Sequence, residues 1–217
     1  MAAKKTNQLM MEAYTKHLLN EGGAPKSVFA FTHANGWKES DFYKNYSDFS
    51  AIESELFFEF FEQTDSLLSK DKSFETFDAQ NKLLSFYYTF FEILTANRSL
   101  ALVLLNHHNS KIDSIKMLGK THVHFKMMVR GLDIQTIKMP HEKLEALKDK
   151  GVEEAAWGQL LLTMKFWMDD TSSNFEKTDI YIEKALRAGF DIIQTSPLQS
   201  VVDLGKFLFK EKVQNKG

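Results

Sequence analysis

Cysteine is absent from the 217 residues. That excludes a disulfide scaffold, thiolate zinc sites and a cysteine nucleophile, and it fits a reducing compartment. Proline occurs three times and glycine ten times, below the usual ~5% and ~7%. A chain so poor in turn formers needs long elements, which means helices rather than many short strands. Arginine is missing from the first 97 residues and occurs only as Arg98, Arg130 and Arg187. Neither sign of charge dominates: the formal net charge is −2, which gives the chain as a whole no nucleic-acid signature. By region, residues 1–50 hold six lysines against five acids, and the remainder holds 21 basic and 24 acidic residues. The longest uninterrupted apolar run is Leu100–Leu105, far short of the ~20 residues that span a bilayer. The start, Met1-Ala2-Ala3-Lys4-Lys5-Thr6-Asn7, turns polar where a signal peptide turns apolar. The expectation is a cytoplasmic protein with no membrane span.

Sequence-local catalytic motifs are missing too. There is no glycine-rich phosphate loop, no Gly-x-Ser-x-Gly elbow and no His-Glu-x-x-His, so no catalytic residue and no enzyme is expected. His122 and His124 are two apart and face nearly opposite ways on a helix. Neither they nor His107-His108 supply the three or four convergent ligands a metal needs, so no metal or other cofactor is expected. Asp169-Asp170 sits where one helix ends and another starts, and reads as a cap.

What the chain does contain is 43% apolar and 26% charged residues, enough for a sizeable core without crosslinks and for one domain or a small one joined to a larger. The pattern predicts about ten helices. The first, about Thr6–Asn20, stops at Glu21-Gly22-Gly23. A short one follows Ala24-Pro25 through about His33 and breaks at Asn35-Gly36. A third covers about Lys38–Asn45, and Ser47-Asp48 caps a long fourth, about Asp48–Ser69. Then come about Phe74–Asn97, Ser99–Asn106, Ser110–Arg130, a short piece at His141–Lys148, Val152–Met168, Asn174–Gln194 and Pro197–Val213. Ser173-x-x-Glu176 matches a capping box.

Three helices with a glycine turn between the second and third are the layout of a helix-turn-helix. The residues are Met10-Met11-Glu12-Ala13, Leu18, Glu21-Gly22, then Ser27-Val28-Phe29-Ala30-Phe31-Thr32-His33-Ala34-Asn35-Gly36, then Phe42-Tyr43-Lys44-Asn45-Tyr46. This stretch, about residues 8–55, resembles the DNA-binding segment of TetR-type transcriptional regulators. The resemblance implies an all-α, TetR-like fold. A three-helix helix-turn-helix segment (residues 1–47) precedes a larger helical ligand-binding and dimerisation body (residues 48–217). It also implies DNA contacts from Ser27, Lys38, Ser40, Tyr43 and Lys44, mostly to phosphate. The third helix, however, opens Lys38-Glu39-Ser40-Asp41, with two acids where the family usually has small or basic residues, and Phe49 stands where a lysine commonly approaches a phosphate.

Between Leu56 and Phe91 the aromatics crowd, with Phe57, Phe58, Phe60, Phe61, Phe86, Tyr87, Tyr88, Phe90 and Phe91 among them. Neighbours on a helix diverge by ~100°, so these helices are contacted on several sides or line a cavity. The resemblance implies a cavity for a hydrophobic small molecule or lipid. The residues expected to line it are Phe86, Tyr87, Phe90, His122, Phe125, Trp157, Met164 and Trp167. Farther on, Trp157…Phe166-Trp167-Met168-Asp169-Asp170…Asn174-Phe175-Glu176-Lys177-Thr178 and Ile182 are similar to the C-terminal part of a ubiquinone-biosynthesis accessory protein family. That family has a TetR-like fold and binds lipids rather than DNA. Phe175, Ile182, Leu186, Phe190 and Ile193 form a stripe beside Ile180 and Tyr181. The stripe is either buried within one chain or pairs with a copy in a four-helix contact. A homodimer is expected. Two functions therefore stand at this point: a TetR-like regulator that binds DNA and a hydrophobic ligand, or a TetR-fold lipid-binding protein without DNA binding.

Overall fold

The computed structural model describes residues 2–107, 114, 116–134, 136 and 142–194. Among them are nine α-helices and no strand. They are α1 (Ala2–Glu21), α2 (Val28–Ala34), α3 (Glu39–Tyr43), α4 (Phe49–Leu68), α5 (Ala79–Ala96), α6 (Arg98–Asn106), α7 (Gly119–Gly131), α8 (Glu142–Asp169) and α9 (Glu176–Gln194). The expected helix Pro197–Val213 and most of the first part of Ser110–Arg130 lie outside the described residues.

The stops of the first helices follow from glycine. Gly22 and Gly36 both have φ +72°, the left-handed region that only glycine enters without a Cβ penalty. After α1, the Gly22 amide returns to the Leu18 carbonyl at 2.9 Å, the αL form of helix end. After α2, the Trp37 amide donates to Thr32 O at 2.9 Å and the Gly36 amide to His33 O at 3.2 Å, the paired bonds of a Schellman motif. The starts follow from short polar side chains. Ser27 Oγ accepts from the Ala30 amide at 3.1 Å and Asp48 Oδ1 from the Ala51 amide at 2.9 Å, each satisfying one amide the helix itself leaves open. Helix α2 thus begins at Val28, three residues later than the Pro25 start expected, because Ser27 and not Ala24 is the cap.

The expected helix Phe74–Asn97 is shorter as well. Residues Phe74–Thr76 form a 3-10 turn, and α5 starts after Asp78, whose Oδ1 accepts from the Asn81 amide at 2.8 Å. The short piece at His141–Lys148 and the helix Val152–Met168 are one helix, α8, running straight through Gly151. An internal glycine costs only ~1 kcal/mol, less than the packing of this helix supplies. The capping box expected at Ser173 and Glu176 does not form. Ser173–Phe175 is a 3-10 turn in which Asn174 and Phe175 are left-handed, at φ 51° and 59°. Asp170 and Ser172 cap α9 instead. Asp170 Oδ2 accepts from the Thr178 amide and hydroxyl at 2.9 and 2.7 Å, and Ser172 Oγ accepts from the Lys177 amide at 3.2 Å.

The helices sort into two compact units: Met1–Asp71 with Thr89–Phe125, and Lys72–Tyr88 with Lys126–Gly217. In the first, α1 buries Met10, Tyr14 and Leu18, one helical face at four-residue spacing. Helix α6 packs against α1 and α4. In the second, α9 packs against α8, with Ile182, Leu186 and Phe190 of α9 buried, as are Trp157, Leu160, Met164 and Trp167 of α8. No single helix among the described residues is long and apolar enough to cross a membrane.

Candidate functional site

Helices α2 and α3 pack on each other across the Asn35-Gly36 turn, over a cluster of rings. Phe31 and Phe42 each meet Phe49 edge-on, at 5.9 and 5.5 Å between centroids, and meet each other at 6.2 Å. Phe49, at the position where the resemblance would place a phosphate-approaching lysine, is therefore a packing residue against α2 and α3. Tyr14 of α1 stacks on the same ring at 5.2 Å. The short α3 is held in place by this cluster and not by its own length, since five residues make no stable isolated helix.

Four of the five residues expected at DNA fall on or beside α3. Lys38 is its N-cap, Ser40 is exposed, Tyr43 is 56% exposed and the Lys44 side chain 71%. Ser27 stands apart from them at the start of α2, and its cap bond uses the oxygen and leaves the O–H free to donate. The two acids of α3 have a local role. Asp41 Oδ2 accepts from the Lys38 amide at 3.4 Å, and Glu39 and Asp41 both sit in the first turn, where the helix dipole favours negative charge. Asp41 Oδ1 also pairs with Lys44 Nζ at 3.0 Å. The hydrogen bond from Lys44, with that from the Lys38 amide, holds the Asp41 carboxyl below its ordinary range. Half the cationic equipment of α3 is thus tied to an acid in the same turn. Sequence reasoning missed Phe29, 61% exposed on α2 and stacked on His33 at 5.7 Å. The signal was there, since residues four apart on a helix are neighbours.

Behind α2 lies an open cavity of about 710 Å³, with Leu9, Ala13 and Lys16 of α1 on one side and Lys26, Phe31 and Trp37 on the other. A second, of about 590 Å³, lies in the other unit between Lys126, Val129 and Arg130 of α7 and Asp149, Val152 and Glu153 of α8. There Arg130 forks onto Glu153, Nε to Oε1 at 2.7 Å and Nη2 to Oε2 at 2.9 Å. That bidentate hydrogen bonding holds the Glu153 carboxyl low.

The eight residues expected to line a ligand cavity divide between the two units. Phe90, His122 and Phe125 lie in the first, and Phe86, Tyr87, Trp157, Met164 and Trp167 in the second. All but His122 are buried, and His122 is half-buried. Phe90 meets Phe57 at 6.4 Å, and Phe86 meets Tyr87 at 6.2 Å. Neither open cavity is lined by any of the eight. His124 is half-buried with its ring 4.4 Å from that of Phe58, and its Nδ1 lies 2.9 Å from the Lys120 carbonyl. Lys120 itself lies over the Phe58 ring at 4.3 Å and pairs with Glu55 at 2.6 Å.

Residues 82–208 match the family described as Tetracyclin repressor-like, C-terminal domain. No curated protein matches the chain. The matched stretch is more than half of the sequence and contains α6, α7, α8 and α9, and the helices before it include the cap–turn–cap layout of α2 and α3. By this match and its all-α fold, the chain belongs to the TetR family.

Proposed function

We propose that the chain is a transcriptional regulator whose α2–turn–α3 segment binds duplex DNA and whose C-terminal body, from residue 48 on, binds a hydrophobic small molecule and a second copy of the chain. The observation that carries this reading is the family match over the body, joined to a segment in which the Schellman turn at Gly36 seats α3 on α2. Ser27, Lys38, Ser40, Tyr43 and Lys44 are the DNA-contacting residues, chiefly to phosphate. The ligand acts by preferring one spacing of the two DNA-binding segments in a dimer, since only a difference in affinity shifts such an equilibrium. Phe86, Tyr87, Trp157, Met164 and Trp167 are proposed ligand residues within the second unit, and Phe90, His122 and Phe125 within the first. Leu162 of α8 and Ile180 and Ile192 of α9 are exposed apolar side chains that support the dimer, while the Ile182–Leu186–Phe190 stripe is spent within the chain.

The pairing of Asp41 with Lys44 makes the DNA reading testable at one residue. Asp41→Asn frees the Lys44 ammonium and removes a negative charge facing phosphate. It is expected to raise DNA affinity severalfold at low salt, whatever the sequence. Lys44→Ala is expected to weaken binding to all sequences alike and to reduce the salt slope by about one. An unchanged slope and no gain in Asp41→Asn would remove Lys44 from the interface.

A second reading has its own support. The acids of α3, the tied Lys44 and the exposed Phe29 favour a hydrophobic-ligand or lipid-binding protein of the same fold that has no operator. Lipid found by mass spectrometry in the purified protein, together with no DNA binding at low salt, would select it.

A further inference from the structure

The open cavity of about 710 Å³ between α1 and α2 is lined by none of the residues proposed to meet DNA or the hydrophobic ligand. It exists because the two helices turn small side chains towards each other. Ala13 of α1 and Ala30 and Ala34 of α2 present only methyl groups to it. Phe31 also lines it, but that ring is 3% exposed and held by Tyr14, Phe42 and Phe49. Helix α1 packs on α6 and helix α2 on α3, so neither closes the gap.

The rest of the lining adds apolar surface and donors. Leu9 is 45% exposed beside it, and Trp37 is half-buried, edge-on to Phe31 at 5.8 Å. Lys16, His17 and Lys26 stand around it, with Glu12 as the one acid of the lining. Among the described residues neither lysine pairs with an acid, and the Trp37 indole N–H, a donor only, has no acceptor. An apolar cavity of this size with a few convergent polar groups has the form of a small-molecule site. The polar groups here are mostly donors, and with His17 neutral they carry one positive charge in excess. That suits a monoanion, and the flat apolar surface of methyls and indole suits a ring. We propose that this cavity binds a small aromatic carboxylate, with its ring against the alanines beside Trp37 and its carboxylate held by Lys16 and Lys26.

The place of the cavity gives such a ligand a structural consequence. Asn35 and Trp37, on either side of the left-handed Gly36, both line it. An occupant therefore bridges α1 to the turn that seats α3. The inference stands on this cavity alone, so failure of DNA binding leaves it untouched.

The test is a titration of the nitrogen-15-labelled full chain with 2-naphthoate, followed by NMR at the tryptophan indole N–H signals. The chain has three tryptophans, and Trp157 and Trp167 belong to the second unit. The Trp37 signal, assigned with Trp37→Phe, therefore reports this cavity. It is expected to shift saturably with a Kd below ~1 mM, the affinity a ligand of this size reaches at ordinary efficiency. 2-Naphthamide has the same rings and no charge, and is expected to bind about tenfold more weakly, as two exposed ion pairs of the usual strength would give. Replacing Lys16 and Lys26 together by alanine is expected to weaken the carboxylate to the level of the amide and to leave the amide unchanged. Ala30→Leu puts a larger side chain into the cavity at an exposed position, and is expected to abolish the Trp37 shift at an unchanged melting temperature. No saturable Trp37 shift, equal affinity for acid and amide, or binding untouched by Ala30→Leu would overturn the proposal. So would shifts confined to Trp157 and Trp167, which would put the probe in the second unit and leave the reading of the C-terminal body standing.

Discussion

Asp170→Ala is expected to cost about 3–5 kcal/mol of folding stability, read as a shift of the urea midpoint at constant slope. The side chain is buried at the break between α8 and α9 and accepts four hydrogen bonds: Ser172 amide at 2.8 Å, Ser172 hydroxyl at 2.7 Å, Thr178 amide at 2.9 Å and Thr178 hydroxyl at 2.7 Å. Bonds to a charged acceptor are worth about 1.5–3 kcal/mol each, and a buried donor left unpaired costs about 1–3. Four such bonds on one carboxylate are not additive, which sets the expected range well below their sum. Burial opposes the ionised form here, but the bonds from Ser172 and Thr178 outweigh it and hold the carboxyl at about 2. Because the folded value lies below the ordinary 3.8, this contribution is present above pH ~4 and is lost as pH falls towards 2. Asp170→Asn keeps one acceptor but turns an NH₂ towards two donors, so it is expected to recover only part of the loss. A cost under 1 kcal/mol for Asp170→Ala would mean that α9 does not depend on this cap.

The second large effect is expected from Phe42→Ala. Phe42 is fully buried at the centre of the three-helix segment, with Tyr43, Tyr46, Phe31 and Phe49 around it at 5.5–6.2 Å. Phenylalanine truncated in a packed core costs about 3–5 kcal/mol, and here the ring is what holds a five-residue helix in place. Phe42→Ala is therefore expected to abolish DNA binding at every salt concentration, in contrast to Lys44→Ala, which keeps binding with a shallower slope. Thermal denaturation followed by circular dichroism, beside a DNA-binding titration, separates the two variants. A Phe42→Ala protein that binds DNA like the wild type would show that α3 is not held by this cluster or does not face DNA.

Most of the helix ends were legible because they are decided within a few residues. Glycine after Glu21 and after Asn35, and Asp48 before Phe49, act on adjacent backbone groups, and the structure uses all three. For the cap of α9 the reading of Asp169-Asp170 as a cap holds at Asp170, but the residues it caps were not legible. The sequence offers Ser173-x-x-Glu176, but the carboxylate that binds the Thr178 amide comes from eight residues earlier, across a turn with two left-handed residues that no local rule places. Gly151 looked like a break and is none, because the tertiary packing of α8 outweighs a small propensity cost. Glu53 shows the limit most clearly. It reads as one more charge on the polar face of α4, and nothing in its neighbourhood says that the Tyr14 hydroxyl, 39 residues before it, donates to its Oε1. The two acids of α3 read as obstacles to DNA binding, and one of them, Asp41, acts as a cap and as the partner of Lys44.

The measurement that bears most directly on the proposed function is binding of the purified chain to duplex DNA from its own upstream region, titrated in salt. Six to eight phosphate contacts across a dimer predict a loss of roughly a thousandfold in affinity between ~50 and ~200 mM salt. Specific binding with that slope is the expected result. No binding even at ~50 mM salt would contradict the regulator and leave the hydrophobic-ligand protein in its place.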